Sequence, residues 1–438
     1  MVAMGDYRPR FQLEGYGMAV AKVDPRVEEA IRKAKELSEV PGKATDLEKM
    51  YIAAIAARRD PKAVNQDNAY IDGLRAIVVK YPQEVEAESY LALHLMRGFE
   101  TPDKKPRMGS EEAVNRLRDL ARKYPNHPGV HHYIIHGWEG STFAKDAWDS
   151  CKRYAELAPN IPHALHMPGH IYAQTGRWQD AVKSFSDAAD NELKWIKADS
   201  LYSTGHHGHN VHFLVTSHSF QSQVDEAIAR SRHLLDFGEN PREKAALDNN
   251  RTAYRQGWFA LLRTLVQNER WDQILDGATL PVYEKPREMA WRQWAVGLAH
   301  VAKGDAKQAR KAVDQMDEAL DMYQEKVKQA VPAELRVARR ELQAQLPMAG
   351  KKKKPAEAIA KLEKVAERER ALLYSEPPFY PRPVEEVIGK IALESGNLET
   401  AGKAFRKALD QYPSSAKATA GLKEVERRQS GSNAAAIQ

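Results

Sequence analysis

PHALHMPGHIYAQTGRWQDAVKSFSDAA, residues Pro162–Ala189, decides the fold. It reads as two helices joined at a tight turn. Gly169, Tyr172, Gly176, Trp178, Ala181, Phe185 and Ala188 stand where two antiparallel helices touch. Small residues there let backbones approach, and aromatic rings fill the gap that remains.

The pattern recurs. Tyr81-Pro82, Tyr124-Pro125, Ala158-Pro159 and Tyr412-Pro413 end similar segments, and Pro125 to Pro159 is a step of 34 residues. A second good unit carries Gly389, Gly396, Ala401, Phe405, Ala408 and Pro413, and a weaker one Gly297, Gly304 and Ala309. Strand patterns are nearly absent, and helical periodicity broken by Pro, Gly and Asn turns runs throughout. A 34-residue period of paired helices is the tetratricopeptide period. The expectation is an all-α, tetratricopeptide-like α-solenoid superhelix.

Working outward, the chain divides into an N-terminal extension over 1–45 and a histidine-bearing superhelix over 46–240. Further helical repeats follow over 241–345, then a lysine-rich linker and long helix over 346–374. A Pro-rich turn, a last repeat and a tail fill 375–438. SEPPFYPRP (Ser375–Pro383) cannot be regular helix, because its prolines remove donors and fix φ. The tail after Gln429 reads as disordered.

The 438 residues hold 66 basic and 60 acidic side chains, a balance of +6 that argues little for nucleic acid. Lys351 to Lys354 is the only basic block and reads as a solvated linker. One cysteine, Cys151, excludes an intrachain disulfide and any multi-thiolate zinc site. No apolar run reaches the roughly 20 residues that span a bilayer. The cytoplasm fits, and so does a periplasm if an export segment has been removed. Oligomeric state is not legible.

All but two of the fifteen histidines lie between His127 and His233. Counting from Pro162, His163, His166 and His170 occupy positions 2, 5 and 9 of a first helix. Counting from Pro128, 34 residues earlier, His132, His136 and Glu139 occupy positions 5, 9 and 12. Counting from Gly208, His209 and His212 occupy positions 2 and 5; that step is 46, so a 12-residue insertion lies around Lys194 to His207. Steps of three and four keep side chains on one helix stripe, and in this repeat the stripe lines an open concave groove. Neighbouring helices pack roughly 8–10 Å apart, so imidazoles reaching inward can meet at metal distances of about 2 Å.

Pro168 removes a hydrogen bond inside the first helix, and such violations cluster at functional sites. Gly205-His206-His207-Gly208 reads as a glycine-flanked loop, and whether His206 and His207 take part is open. Asn210 has two readings: it orients a ligand, or it caps the helix. His131 points away from His132 and reads as packing.

HPGVHHYIIHGWEGS from His127, PHALHMPGHIY from Pro162 and HNVHF from His209 resemble the compound motif of a family of bacterial tetratricopeptide-repeat proteins. EKMYIAAIAARR and YSEPPFYPRP add to the likeness, which covers roughly 45–235 and 355–425. It implies a helical superhelix and no reaction.

No phosphate loop or nucleophile elbow competes. Two functions stay open. The first is a metal-dependent enzyme using His132, His136, His166, His170, His209 and His212, with Glu139 and His163 in reserve. It would hold one or two transition-metal ions, copper or iron ahead of zinc, with a slight lean to oxidoreductase chemistry over a zinc hydrolase. The second is a scaffold whose groove takes a peptide or partner, its histidines structural or pH-sensing. A small molecule or peptide fits the groove; nucleic acid and membrane do not. No catalytic residue is assigned.

Overall fold

The computed structural model describes residues 25–100, 104–199, 202, 204–249, 251–375 and 377–436. Residues 1–24 of the expected extension lie outside them. The chain divides into two compact units, Met1–Pro159 and Asn160–Gln438. No strand occurs among the described residues; Phe99 and Pro106 form an isolated bridge.

The first unit holds α1 (Pro25–Ser38), α2 (Asp46–Arg59), α3 (Gln66–Lys80), α4 (Val85–Leu95), α5 (Ser110–Lys123), α6 (Pro128–Trp138) and α7 (Trp148–Leu157). The second begins with α8 (Pro162–Gln174), α9 (Trp178–Ala198), α10 (Thr204–Phe220), α11 (Val224–Leu235), α12 (Pro241–Ala245), α13 (Ala253–Gln267) and α14 (Trp271–Leu275). It continues with α15 (Pro286–Ala302), α16 (Ala306–Val327), α17 (Ala333–Gln345), α18 (Pro355–Arg370), α19 (Val384–Glu394), α20 (Leu398–Gln411) and α21 (Ala416–Ala436). Successive helices pair, as in α2 with α3, α8 with α9, α15 with α16 and α19 with α20. The fold is an all-α, tetratricopeptide-like helical repeat.

The small positions act as the sequence suggests. A Cβ at Gly169 would lie 2.5 Å from the Phe185 ring, so α8 and α9 approach only because that atom is missing. Gly176 (φ +76°) ends α8, with Gly176 N donating to Ala173 O (3.2 Å) and Arg177 N to Tyr172 O (2.8 Å). That closes the helix end in the left-handed conformation glycine tolerates.

Two local expectations are corrected. Gly205–Gly208 is not a loop but part of α10. A Cβ at Gly208 would sit 2.8 Å from Ala253 Cα, so this glycine serves close packing of α10 on α13. The tail after Gln429 continues α21 to Ala436. Pro168 lies inside α8, which runs from Pro162 to Gln174, as the sequence suggests.

The second unit is also not the open groove expected. Its last repeat returns to its first. Trp178 Nε1 donates to Pro413 O (2.8 Å), and Phe220 stacks between Trp178 (4.5 Å) and Tyr412 (4.8 Å). The irregular Pro377–Pro383 stretch docks on the first helices of the pairs. Arg263 on α13 donates to the carbonyls of Pro378 and Tyr380, and Tyr380 lies against Trp291 and Trp294. Fully buried Glu341 anchors the strap, accepting from Arg382 (2.7 Å), Trp294 Nε1 (3.0 Å) and the Tyr380 hydroxyl.

Removing one partner of a buried ion pair strands the other charge, at a cost of about 3–5 kcal/mol. Glu341→Ala is therefore expected to lower unfolding stability by that amount in urea titration. A loss below about 1 kcal/mol would show that the strap does not depend on this anchor.

Glu369 supplies a pH signature. Burial pushes its carboxyl up to about 8, although Val384 N (3.1 Å) and Gln411 Nε2 (2.9 Å) donate to it. The folded chain thus keeps a proton that the unfolded chain releases near pH 4.3. Its contribution is full below that pH and is lost as pH rises through about 8. Glu369→Gln removes the loss, so its melting temperature should gain on the wild type progressively from pH 5 to 8. A pH-independent difference contradicts the assignment.

Candidate metal centre

α8 presents His163, His166 and His170 at steps of three and four, and α10 brings His206 and His209 to the same place. His166, His170 and His209 each offer a ligand atom, and the three atoms lie within 4.8 Å of one another. His166 and His170 are buried and His209 is half-buried. The walls are apolar: Phe213 stacks on His170 (4.7 Å), and Phe185 lies 5.1 Å from His166. Burial, reinforced by His170, His209, His206 and His163, pushes the His166 imidazolium well below the usual range, so the ring is neutral.

The hydrogen bonds fix which nitrogen of His166 faces the cluster. Asn210 Nδ2 donates to Phe185 O (3.1 Å) and to Glu192 Oε2 (3.2 Å). Its Oδ1 is thereby left to accept from His166 Nδ1–H at 2.8 Å. His166 Nε2 must then carry the lone pair, and it lies 2.7 Å from His170 Nε2. Two nitrogens bound to one ion at roughly 2.0–2.1 Å stand about 3 Å apart, so small adjustments admit a metal between them.

Glu192 is the residue that the sequence reading missed. It is fully buried, with Oε1 bonded to His206 Nδ1 and Oε2 3.3 Å from His207 Nδ1. Burial pushes the Glu192 carboxyl up, but hydrogen bonds from His206 and His207 outweigh this and hold it below its ordinary value. A buried anion in an apolar wall favours a cation nearby. The inserted residues lengthen α9 to Ala198, but no motif marks a lone glutamate there as special. His206 Nε2 reaches His163 Nδ1 (3.3 Å), placing His163 at the rim.

His212 is not brought into this group. A step of three from His209 falls about 60° short of a full turn, which carries His212 toward α13. Its Nδ1 meets Gln256 Oε1 at 2.6 Å, and burial with the Arg263 charge pushes it down to about 3. Phe213, at a step of four, takes the place facing His170.

In the first unit, His132 and His136 share α6 with ring centroids 4.7 Å apart, and His132 stacks on Tyr154 (4.9 Å). Buried Glu139 Oε2 lies 2.9 Å from His136 Nδ1, where a carboxylate orients a ring and leaves Nε2 as the ligand atom. His131 bonds Ser150 Oγ (3.1 Å) and Pro125 O (2.9 Å), a packing role. Cys151 is buried. No described helix is long and apolar enough to cross a membrane.

No family profile matches the chain, and no curated protein is significantly similar to it. Among solved structures, yeast Tom70 aligns over 94% of this chain and 76% of its own, at 12% identity and TM-score 0.30. The P58(IPK) TPR domain aligns over 89% and 99%, at 11% identity and TM-score 0.24. Naa15/Naa10 bound to HypK-THB aligns over 88% and 66%, at 12% identity and TM-score 0.25. Overlaps this loose transfer no function, and the fold class rests on the helix pairs themselves.

The tautomer is directly measurable. Two-bond ¹H–¹⁵N NMR correlation should show His166 protonated at Nδ1 in metal-free protein at pH 7. Protonation at Nε2 contradicts the hydrogen-bond assignment.

Proposed function

We propose that this chain is a tetratricopeptide-like scaffold carrying a transition-metal site at His166, His170 and His209. One observation supports the reading most: three buried or half-buried imidazoles converge while Asn210 turns the lone pair of His166 toward the other two. Neutral imidazoles without thiolates suit copper, iron or zinc rather than magnesium or calcium. Three protein ligands also leave coordination positions for water or substrate, the arrangement of catalytic rather than structural sites. Metal-dependent chemistry on a small molecule or peptide is the function this arrangement serves best. His132 and His136, with Glu139 behind them, extend the proposal to the first unit as a pair.

A second reading has its own observation. The 2.7 Å contact between His166 and His170 satisfies both nitrogens as a plain hydrogen bond. In that case the histidines are structural and the protein is a partner- or peptide-binding scaffold.

Elemental analysis of protein purified without an affinity tag separates the two. The metal reading expects at least one equivalent of copper, iron or zinc per chain, lost in His166→Ala and in His170→Ala while the helical circular dichroism signal persists. Metal-free wild type, with variants that only melt earlier, establishes the scaffold reading instead.

A further inference from the structure

We propose that Asn210 and Glu192 are positioning residues that preset the His166 ring for a divalent transition-metal ion. The proposal rests on the metal reading above and adds the groups that make the site selective for a cation.

An imidazole on a helix can rotate and can carry its proton on either nitrogen, so proximity alone does not make a ligand. Here both freedoms are removed. The ring is held by Asn210 Oδ1 at Nδ1, and the only nitrogen left to face His170 and His209 is Nε2. Asn210 itself cannot turn over without aiming its carbonyl oxygen at two acceptors, Phe185 O and Glu192 Oε2. Glu192 is held in turn by His206 and His207 at zero exposure. The chain Glu192–Asn210–His166 therefore runs from α9 through α10 to α8 and ends on a lone pair. Groups that hold the far nitrogen of a metal-bound histidine raise its basicity as well as fix its angle, and losing them typically costs roughly 10–100-fold in metal affinity. The same carboxylate orients His206, whose other nitrogen meets His163, so one buried charge organises both sides of the cluster.

The test compares Asn210→Leu, Asn210→Asp and the double variant Asn210→Asp/Glu192→Gln. Zn(II) affinity is read by chelator competition and coordination geometry by Co(II) visible absorption. Asn210→Leu removes the acceptor for His166. Asn210→Asp keeps the acceptor for His166 but sets a carboxylate against Glu192 and Phe185 O. The double variant restores a donor–acceptor pair between positions 210 and 192 and keeps the acceptor for His166, but it leaves an oxygen against Phe185 O. Each single variant should weaken Zn(II) binding roughly 10–100-fold and shift the Co(II) spectrum. The double variant should bind Zn(II) more tightly than Asn210→Asp, a partial recovery, because it relieves the carboxylate–carboxylate contact while still lacking the donor to Phe185 O. A merely structural role would change apo-protein melting without this recovery.

If Asn210→Leu does not fold, the comparison of Asn210→Asp with the double variant decides alone, and absence of recovery overturns the proposal. Wild-type affinity in both single variants, with binding abolished by His170→Ala, also overturns it while leaving the metal site standing. Retention of Zn(II) by His170→Ala overturns the site itself.

Discussion

The histidine cluster depends on the orientation of one side-chain amide. Asn210 sits fully buried, where every polar atom needs a partner. Its two donors find Phe185 O and Glu192, and that choice commits its oxygen to His166. Reversing the amide would place a carbonyl oxygen against two acceptors in a site of low dielectric, where mismatched polar groups cost most. From this one constraint follow the His166 tautomer and the direction of its lone pair, toward His170 and His209.

The scaffold makes the constraint possible. Phe185 belongs to α9, His166 to α8 and Asn210 to α10, so the bond set spans three consecutive helices. They come close enough because Gly169 lets Phe185 onto α8 and Gly208 lets α10 onto Ala253. The returning last repeat and the Pro377–Pro383 strap brace the unit from within, through Glu341, Arg382 and Arg263. A solenoid of nearest-neighbour contacts is extensible; this unit gains long-range contacts that join its ends.

Much of this was legible in the chain itself. Gly169, Trp178 and Phe185 announce the helix pair, and the steps of three and four on α8 place His166 and His170 together. The step on α10 was harder to use. His209 and His212 share a register position with the α8 residues, yet the helix rotation sends His212 to Gln256, because three residues do not complete a turn. Glycines at 205 and 208 suggested a loop, since glycine signals both flexibility and close approach, and only the neighbour Ala253 reveals which applies. Glu192 carried no signal. It lies outside the repeat register, and its importance comes from three partners, His206, His207 and Asn210, that sequence spacing does not connect to it. Asn210 stood between capping and orienting; it lies inside α10 rather than at its end, and its oxygen meets His166 Nδ1.

The central claim is that His166, His170 and His209 surround a metal ion. Crystals of the protein soaked in Zn(II), with anomalous diffraction recorded at the zinc edge, test it most directly. The account requires an anomalous peak bonded at roughly 2.0–2.1 Å to His166 Nε2, to His170 Nε2 and to a ring nitrogen of His209. No peak there, with the direct His166–His170 hydrogen bond intact, would contradict it and leave a helical scaffold with a hydrogen-bonded histidine core.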